Sequence, residues 1–201
     1  MSYFDIARDT FETLDALGVE HFHLLGHSMG GKAAMVMAIE QPDRVDSLVV
    51  ADIAPLTYPE RHQQIFAGLQ AIDLATVTNR TDADHTLANY VDEPGMRQFL
   101  LRNLSKTDVG FQWKMHLDYI MDNYQHVIGF PQIQGQFTKP TLFIKGGNSD
   151  YITKDHQQKI VSLFPNSKAK IIQGAGHWLH AEKTVIFNRI VNELFGSTQA
   201  R

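Results

Sequence analysis

Residues 22–40 read Phe22-His23-Leu24-Leu25-Gly26-His27-Ser28-Met29-Gly30-Gly31-Lys32-Ala33-Ala34-Met35-Val36-Met37-Ala38-Ile39-Glu40. An apolar run of strand length enters Gly26-x-Ser28-x-Gly30, and a run of good helix formers leaves it at once. A strand, a sharp turn through a serine and a helix make the layout of a nucleophile elbow. So tight a turn forces Ser28 into a strained backbone conformation. The glycines two residues to either side are expected to leave room for strand and helix to approach each other. The hydroxyl then projects clear of the sheet, at the positive end of a helix. The pentapeptide alone is a weak signal, and its position between strand and helix is the context the motif requires. The competing reading is a tight strand–helix turn with a solvent-facing serine.

Working outward, the pattern is that of an α/β protein. Phe4, Ala7, Phe11, Leu14 and Leu17 recur at helical spacing ahead of the elbow, and Gly18 is a stop signal. Pro42 ends the helix after the elbow. Ser47-Leu48-Val49-Val50-Ala51 is a continuous apolar run suited to a parallel strand buried on both faces, with Asp52 at its end. Strand-like runs return at 141–145 and 168–172, a helix is expected over 154–164, and a closing helix over 182–195 ends at Gly196, leaving a frayed tail Ser197–Arg201. Between them, residues 56–138 lack β-branched runs and show helical stretches at about 59–72, 82–91, 94–104 and 113–124. One crossover needs only about 10–12 residues, so this segment reads as a helical cap insertion. Residues 1–55 and 139–201 then form the α/β core.

Bulk properties bound the chemistry. The chain has 201 residues, 43% of them hydrophobic, enough for one domain with a real core. A formal net charge of -4 without a long basic run gives no reason to expect nucleic acid or an anionic membrane surface as partner. With no cysteine there is no disulfide, thiolate nucleophile or zinc-thiolate site. No apolar stretch approaches the length of a membrane span, and Met1-Ser2-Tyr3-Phe4-Asp5 does not open a secretory signal. The expectation is a cytoplasmic protein without cofactor or metal.

A serine hydroxyl is a poor nucleophile at neutral pH and needs a base in reach and an acid to orient that base. In an α/β sheet catalytic groups gather at the C-terminal ends of the strands. The loops there carry Ser28, Asp52, Asp150 and His177. His177 is the candidate base, because it follows a strand directly on the loop Gly174-Ala175-Gly176-His177. Asp150, in Gly147-x-x-Asp150-x-Ile152, and Asp52 are both placed to be the acid, and the residues themselves leave the choice open. The backbone N–H of Met29, the residue after the nucleophile, is the first oxyanion donor. A second normally comes from a His-Gly type loop after an early strand, and no such segment precedes Ser28.

Gly26-His27-Ser28-Met29-Gly30-Gly31-Lys32, Asp52-Ile53-Ala54-Pro55, Gly146-Gly147-Asn148-Ser149 and Gly174 through Lys183 together resemble the YbfF-type esterases of the α/β-hydrolase superfamily, related to the mitochondrial abhydrolase-domain hydrolases of animals. The chain order Ser…Asp…His is the one that fold uses. The resemblance implies a mostly parallel sheet flanked by helices, and a carboxylesterase or thioesterase acting on small acyl esters or acyl-CoA. It also favours Asp52 as the orienting acid, since the family keeps the D-I-[AS]-P motif and is often not acidic at the position of Asp150. Family members start earlier, so the chain resembles an N-terminally truncated member lacking two to three β-units, roughly 60–70 residues at about 30 per unit. Those units would carry the first strands and the second oxyanion donor, whose loss typically costs about 10²–10³ in kcat. The alternative expectation is therefore a weakly active or non-catalytic hydrolase-like domain acting in binding or assembly, able to form a homo-oligomer through the exposed edge of the Phe22–Leu25 strand.

Overall fold

The computed structural model describes residues 2–199. In chain order the elements are α1 (Tyr3–Ala16), β1 (Phe22–His27), α2 (Met29–Glu40), β2 (Val45–Ala51), α3 (Gln63–Gln70), α4 (Arg80–Leu87), α5 (Pro94–Leu100), β3 (Leu104–Thr107), β4 (Gly110–Trp113), α6 (Leu117–Asp122), α7 (Tyr124–Ile128), β5 (Thr141–Gly146), α8 (Gln157–Leu163), β6 (Ser167–Ile172), α9 (Leu179–Glu182) and α10 (Thr184–Gln199). They form two compact units. One comprises residues up to Thr57 and from Gly129 onward, and the other spans Tyr58–Ile128.

The first unit is an α/β layer. Its four strands lie in the order β1-β2-β5-β6, and every neighbouring pair is parallel. Val45, Leu48, Val49, Val50 and Ala51 of the central strand β2 are fully buried, as an apolar run between two helical layers must be. On one side, Tyr3, Ala7 and Phe11 of α1 pack on Ala33, Val36 and Met37 of α2. On the other, Val49, Leu142 and Ile144 meet Leu179, Phe187, Ile190 and Val191. Helix α2 is apolar all round and buried from Gly31 to Ile39, the expected state of a helix without a polar face. Its one charged interior residue, Lys32, is 2% exposed and donates from Nζ to the carbonyl of Gly129 at 2.7 Å.

Helix α1 begins at a capping box, Ser2 Oγ accepting from Asp5 N and the Asp5 carboxylate accepting from Ser2 N. It ends where Gly18 takes φ +68°. Its buried face differs from the expected one. Tyr3, Ala7 and Phe11 share a stripe at i, i+4, i+8, whereas Phe4, one position further round, and Leu17 are exposed. The closing helix also departs from expectation. It is split into α9 and α10, Val185 is 84% exposed, and Phe187 with Ile190 and Val191 supplies the buried face. Gly196 does not stop it, because Gly196 has no positive φ and the helix runs on to Gln199. Of the tail expected to fray, Ala200 and Arg201 lie outside the described residues.

The second unit is built around Ile72, Ala83, Leu87, Val91, Leu101 and Leu104. Its bounds are narrower than the expected 56–138 insertion. Residues 129–138 belong with the sheet, since Phe130 and Ile133 pack on the α1–α2 cluster and Phe137 is fully buried. The helical reading also missed the antiparallel hairpin β3–β4. Its signal is period-two alternation, with Leu104 facing the core beside Phe111 and Trp113. The turn between the strands closes at Gly110, φ +134°. Within this unit Trp113, His116 and Tyr119 line a cavity of about 630 Å³ with Leu69, Ile72 and Leu74. Phe66 packs edge-on against Tyr124.

Candidate active site

Parallel pairing decides which loops can meet. In register, His27 pairs with Ala51, Ala51 with Ile144, and Gly146 with Ile172. The residues just beyond those positions therefore share one edge of the sheet. They are Ser28, Asp52, the loop after Gly146 and the loop that carries His177.

Ser28 sits between β1 and α2 with φ 53° and ψ -122°. A left-handed φ at a non-glycine residue stores on the order of 1–3 kcal/mol. It is held there by its own N–H, which donates to Ala51 O at 3.0 Å, and by its carbonyl, which accepts from Gly31 N at 2.9 Å. The close approach of strand and helix is made possible by Gly26 and Gly31. A Cβ on Gly26 would lie 2.2 Å from Gly30 O, and one on Gly31 would lie 2.6 Å from the Ile53 side chain. Gly30, the second glycine of the motif, faces open space. The expectation that the two motif glycines share this role is corrected: Gly26 has it together with Gly31, the residue following the motif. Met29 opens α2, so its N–H has no acceptor within the helix and is directed past its N-terminus beside Ser28.

Asp52 is fully buried and also has a positive φ, 52°. Its Oδ1 accepts from Gly146 N at 3.0 Å. Its Oδ2 accepts from the Ser149 hydroxyl and lies 2.8 Å from His177 Nδ1. A buried carboxylate needs such donors to remain charged. An ionised carboxylate only accepts, so Nδ1 of His177 carries the hydrogen. Nε2 is then bare and faces Ser28 Oγ at 3.0 Å. The ring of Tyr151 stacks on the His177 imidazole at 4.0 Å and 20°.

Three of the four candidate side chains thus meet, Ser28, His177 and Asp52. Asp150 is exposed on the loop after β5 and is not the carboxylate on His177, both of whose ring nitrogens are engaged by the other two. The reason lies one residue earlier, where the Ser149 hydroxyl turns in to Asp52 and leaves Asp150 pointing outward. The sequence pattern assigned no role to Ser149, although it lies in the quoted run Gly146-Gly147-Asn148-Ser149, or to Tyr151 beside it. Among the described residues, no group of three or more His, Cys, Asp or Glu side chains is arranged to hold a metal ion, and no helix is long and apolar enough to cross a membrane.

An elbow serine, a histidine after the last strand and a buried aspartate at the C-terminal edge of a parallel sheet define a class, the α/β hydrolases. The chain belongs to that family, whose model, described as alpha/beta hydrolase fold, matches residues 1–184. Within it, the chain is 38% identical over 184 residues to Esterase YbfF of Escherichia coli (strain K12), covering 91% of this chain and 70% of that protein. It is also 38% identical over 188 residues to the sn-1-specific diacylglycerol lipase ABHD11 of Mus musculus, covering 90% of this chain but only 61% of that one. Among solved structures, a marine microorganism esterase superposes with a TM-score of 0.93 at 37% identity, over 96% of this chain and 77% of that chain. The expected fold and the likeness to YbfF-type esterases therefore hold.

Proposed function

We propose that this chain is a serine hydrolase that cleaves small acyl esters or acyl-CoA thioesters through an acyl-enzyme on Ser28. The observation that carries the reading is the continuous relay Asp52 Oδ2, His177 Nδ1, His177 Nε2, Ser28 Oγ, with steps of 2.8 and 3.0 Å. Ser28 Oγ attacks the acyl carbonyl while His177 Nε2 takes its proton. The N–H of Met29 stabilises the oxyanion that forms. The imidazolium, held in orientation by the Asp52 carboxylate, then returns the proton to the departing alcohol or thiol. A water activated by the same His177 releases the acid and regenerates the serine.

The named activities of the similar proteins, esterase and diacylglycerol lipase, support ester hydrolysis as the reaction class. The test is turnover of a short p-nitrophenyl ester and of a short acyl-CoA, with fluorophosphonate labelling, in the protein and in Ser28→Ala. The expected result is labelling and ester turnover that both vanish in the variant. Folded protein that neither labels nor turns over substrate would instead favour a hydrolase-like domain acting in binding or assembly.

A further inference from the structure

His27, the residue of the elbow immediately before the nucleophile, has its ring engaged by the backbone of His177 rather than by Ser28. Its Nε2 lies 2.8 Å from the main-chain carbonyl oxygen of His177. A carbonyl only accepts, so Nε2 carries the hydrogen and donates it. The His27 ring also packs against three rings that follow β6, those of His177 at 4.7 Å and Trp178 at 5.4 Å on the loop and of His180 at 4.5 Å in α9. Two consecutive residues of the elbow therefore grip one residue of the His177 loop. Ser28 engages its imidazole and His27 its backbone.

We propose that His27 is a positioning residue, which clamps the backbone of His177 so that its imidazole stays in line with Ser28 Oγ. This rests on the assignment of Ser28 and His177 as nucleophile and base. Around the His177 position the loop makes other backbone bonds, Gly176 N to the Glu182 carboxylate at 2.8 Å and Asn148 N to Ala175 O at 2.9 Å. The donor from His27 reaches the carbonyl of His177 itself and ties it directly to the strand that ends in the nucleophile. Asp52 and the Tyr151 ring still hold the imidazole when that tie is lost, but the backbone that carries it can shift relative to Ser28, and displacements on the order of 1 Å cost catalysis up to about 10²-fold.

The electrostatics agree. Burial pulls His27 down to about 4, so the ring is uncharged at neutral pH. A second imidazolium 4.7 Å away would oppose the positive charge that His177 gains in the transition state. A neutral clamp avoids that repulsion while keeping its single donor.

The test compares His27→Phe, which keeps the ring and loses the donor, with His27→Gln, whose amide nitrogen reaches about as far as Nε2. The expected result is a kcat for ester hydrolysis about 10- to 100-fold lower in His27→Phe. KM should stay within about twofold, with substantial recovery of kcat in His27→Gln. Wild-type kcat in His27→Phe, or equal losses in both variants, would overturn the clamp. An independent measurement is the ¹⁵N spectrum of the His27 imidazole in the full chain. At neutral pH it should show a protonated Nε2 and a bare Nδ1, and the opposite tautomer overturns the proposal whether or not any variant folds. Loss of all turnover and fluorophosphonate labelling in the unsubstituted protein would count against the hydrolase reading instead, leaving the spectrum to decide on the clamp.

Discussion

Asp52 and His177 meet at 2.8 Å although the strands that lead to them, β2 and β6, do not pair with each other. Strand β5 lies between. The contact forms over the end of β5, where Gly146 carries no side chain to block it. A Cβ there would lie 2.1 Å from Gly176 O and 2.9 Å from Ala175 O, both on the His177 loop. The N–H of the same Gly146 donates to Asp52. One small residue thus lets the loop close down and helps hold the acid it closes onto.

Gly146→Ala should therefore push the His177 loop outward. Overpacking of this kind typically costs about 1–3 kcal/mol, and the displaced imidazole should lower kcat as well. Thermal unfolding and ester turnover measured together check this. A variant with unchanged Tm and kcat would show that the close approach is unnecessary.

Asp52→Asn should lose about 10⁴ in kcat, because an amide on Nδ1 no longer enforces the tautomer that leaves Nε2 bare. Asp150→Asn should stay within a few-fold of the unsubstituted protein, since its carboxylate is exposed and His177 is already engaged by Asp52. Steady-state kinetics of the two variants side by side decide between the carboxylates. The reverse ranking would mean that the working enzyme uses the loop after β5.

The two glycines of the elbow motif should behave unlike each other. Gly30 has a negative φ and nothing near its absent side chain. Gly30→Ala is expected to be neutral or to stabilise by up to about 0.5–1 kcal/mol through helix propensity. Gly26→Ala must drive a Cβ into the Gly30 carbonyl at 2.2 Å and should abolish folding or activity. Denaturation curves for the pair provide the comparison, and equal sensitivity at both positions would contradict the geometry.

Lys32 gives stability a pH dependence. Burial lowers it from 10.5 to about 7 in the folded chain. The unfolded chain therefore holds this proton across the window from about 7 to 10.5 in which the folded chain has released it. More protons bound in the unfolded state means that stability rises with pH through that window, while below it the cost of burying the charge is present in full. Lys32→Met removes that cost. Its stability relative to the unsubstituted protein should be highest near pH 6 and should decline toward about pH 10. Urea unfolding across that range measures the difference, and a pH-independent value would remove Lys32 from the account.

The local elements were legible where one physical signal dominated. The apolar run before Gly26 and the helix formers after Ser28 specify β1, the turn and α2 through nearest-neighbour chemistry. The stripe Ala7–Phe11–Leu14 and the runs at 48–51 and 141–144 do the same for α1, β2 and β5. Where signals compete, the local pattern is ambiguous. The hairpin at 104–113 was hidden because its strands are four residues each and flank helices. The end of α10 was misplaced because Gly196 keeps a helical backbone, and a glycine in a helical pattern reads equally as a stop.

The amino-acid sequence by itself determined that Ser28 stands at an elbow and that Asp52, Asp150 and His177 stand at strand ends, because these depend on short-range steric and hydrophobic patterns. Which carboxylate reaches the imidazole, that Ser149 and Gly146 hold it, and that His27 grips the loop from behind were decided only in the tertiary structure. Those contacts join residues roughly a hundred or more positions apart. Their partners are chosen by strand order, register and the clearance between loops, and none of these leaves a mark on the neighbouring residues along the chain.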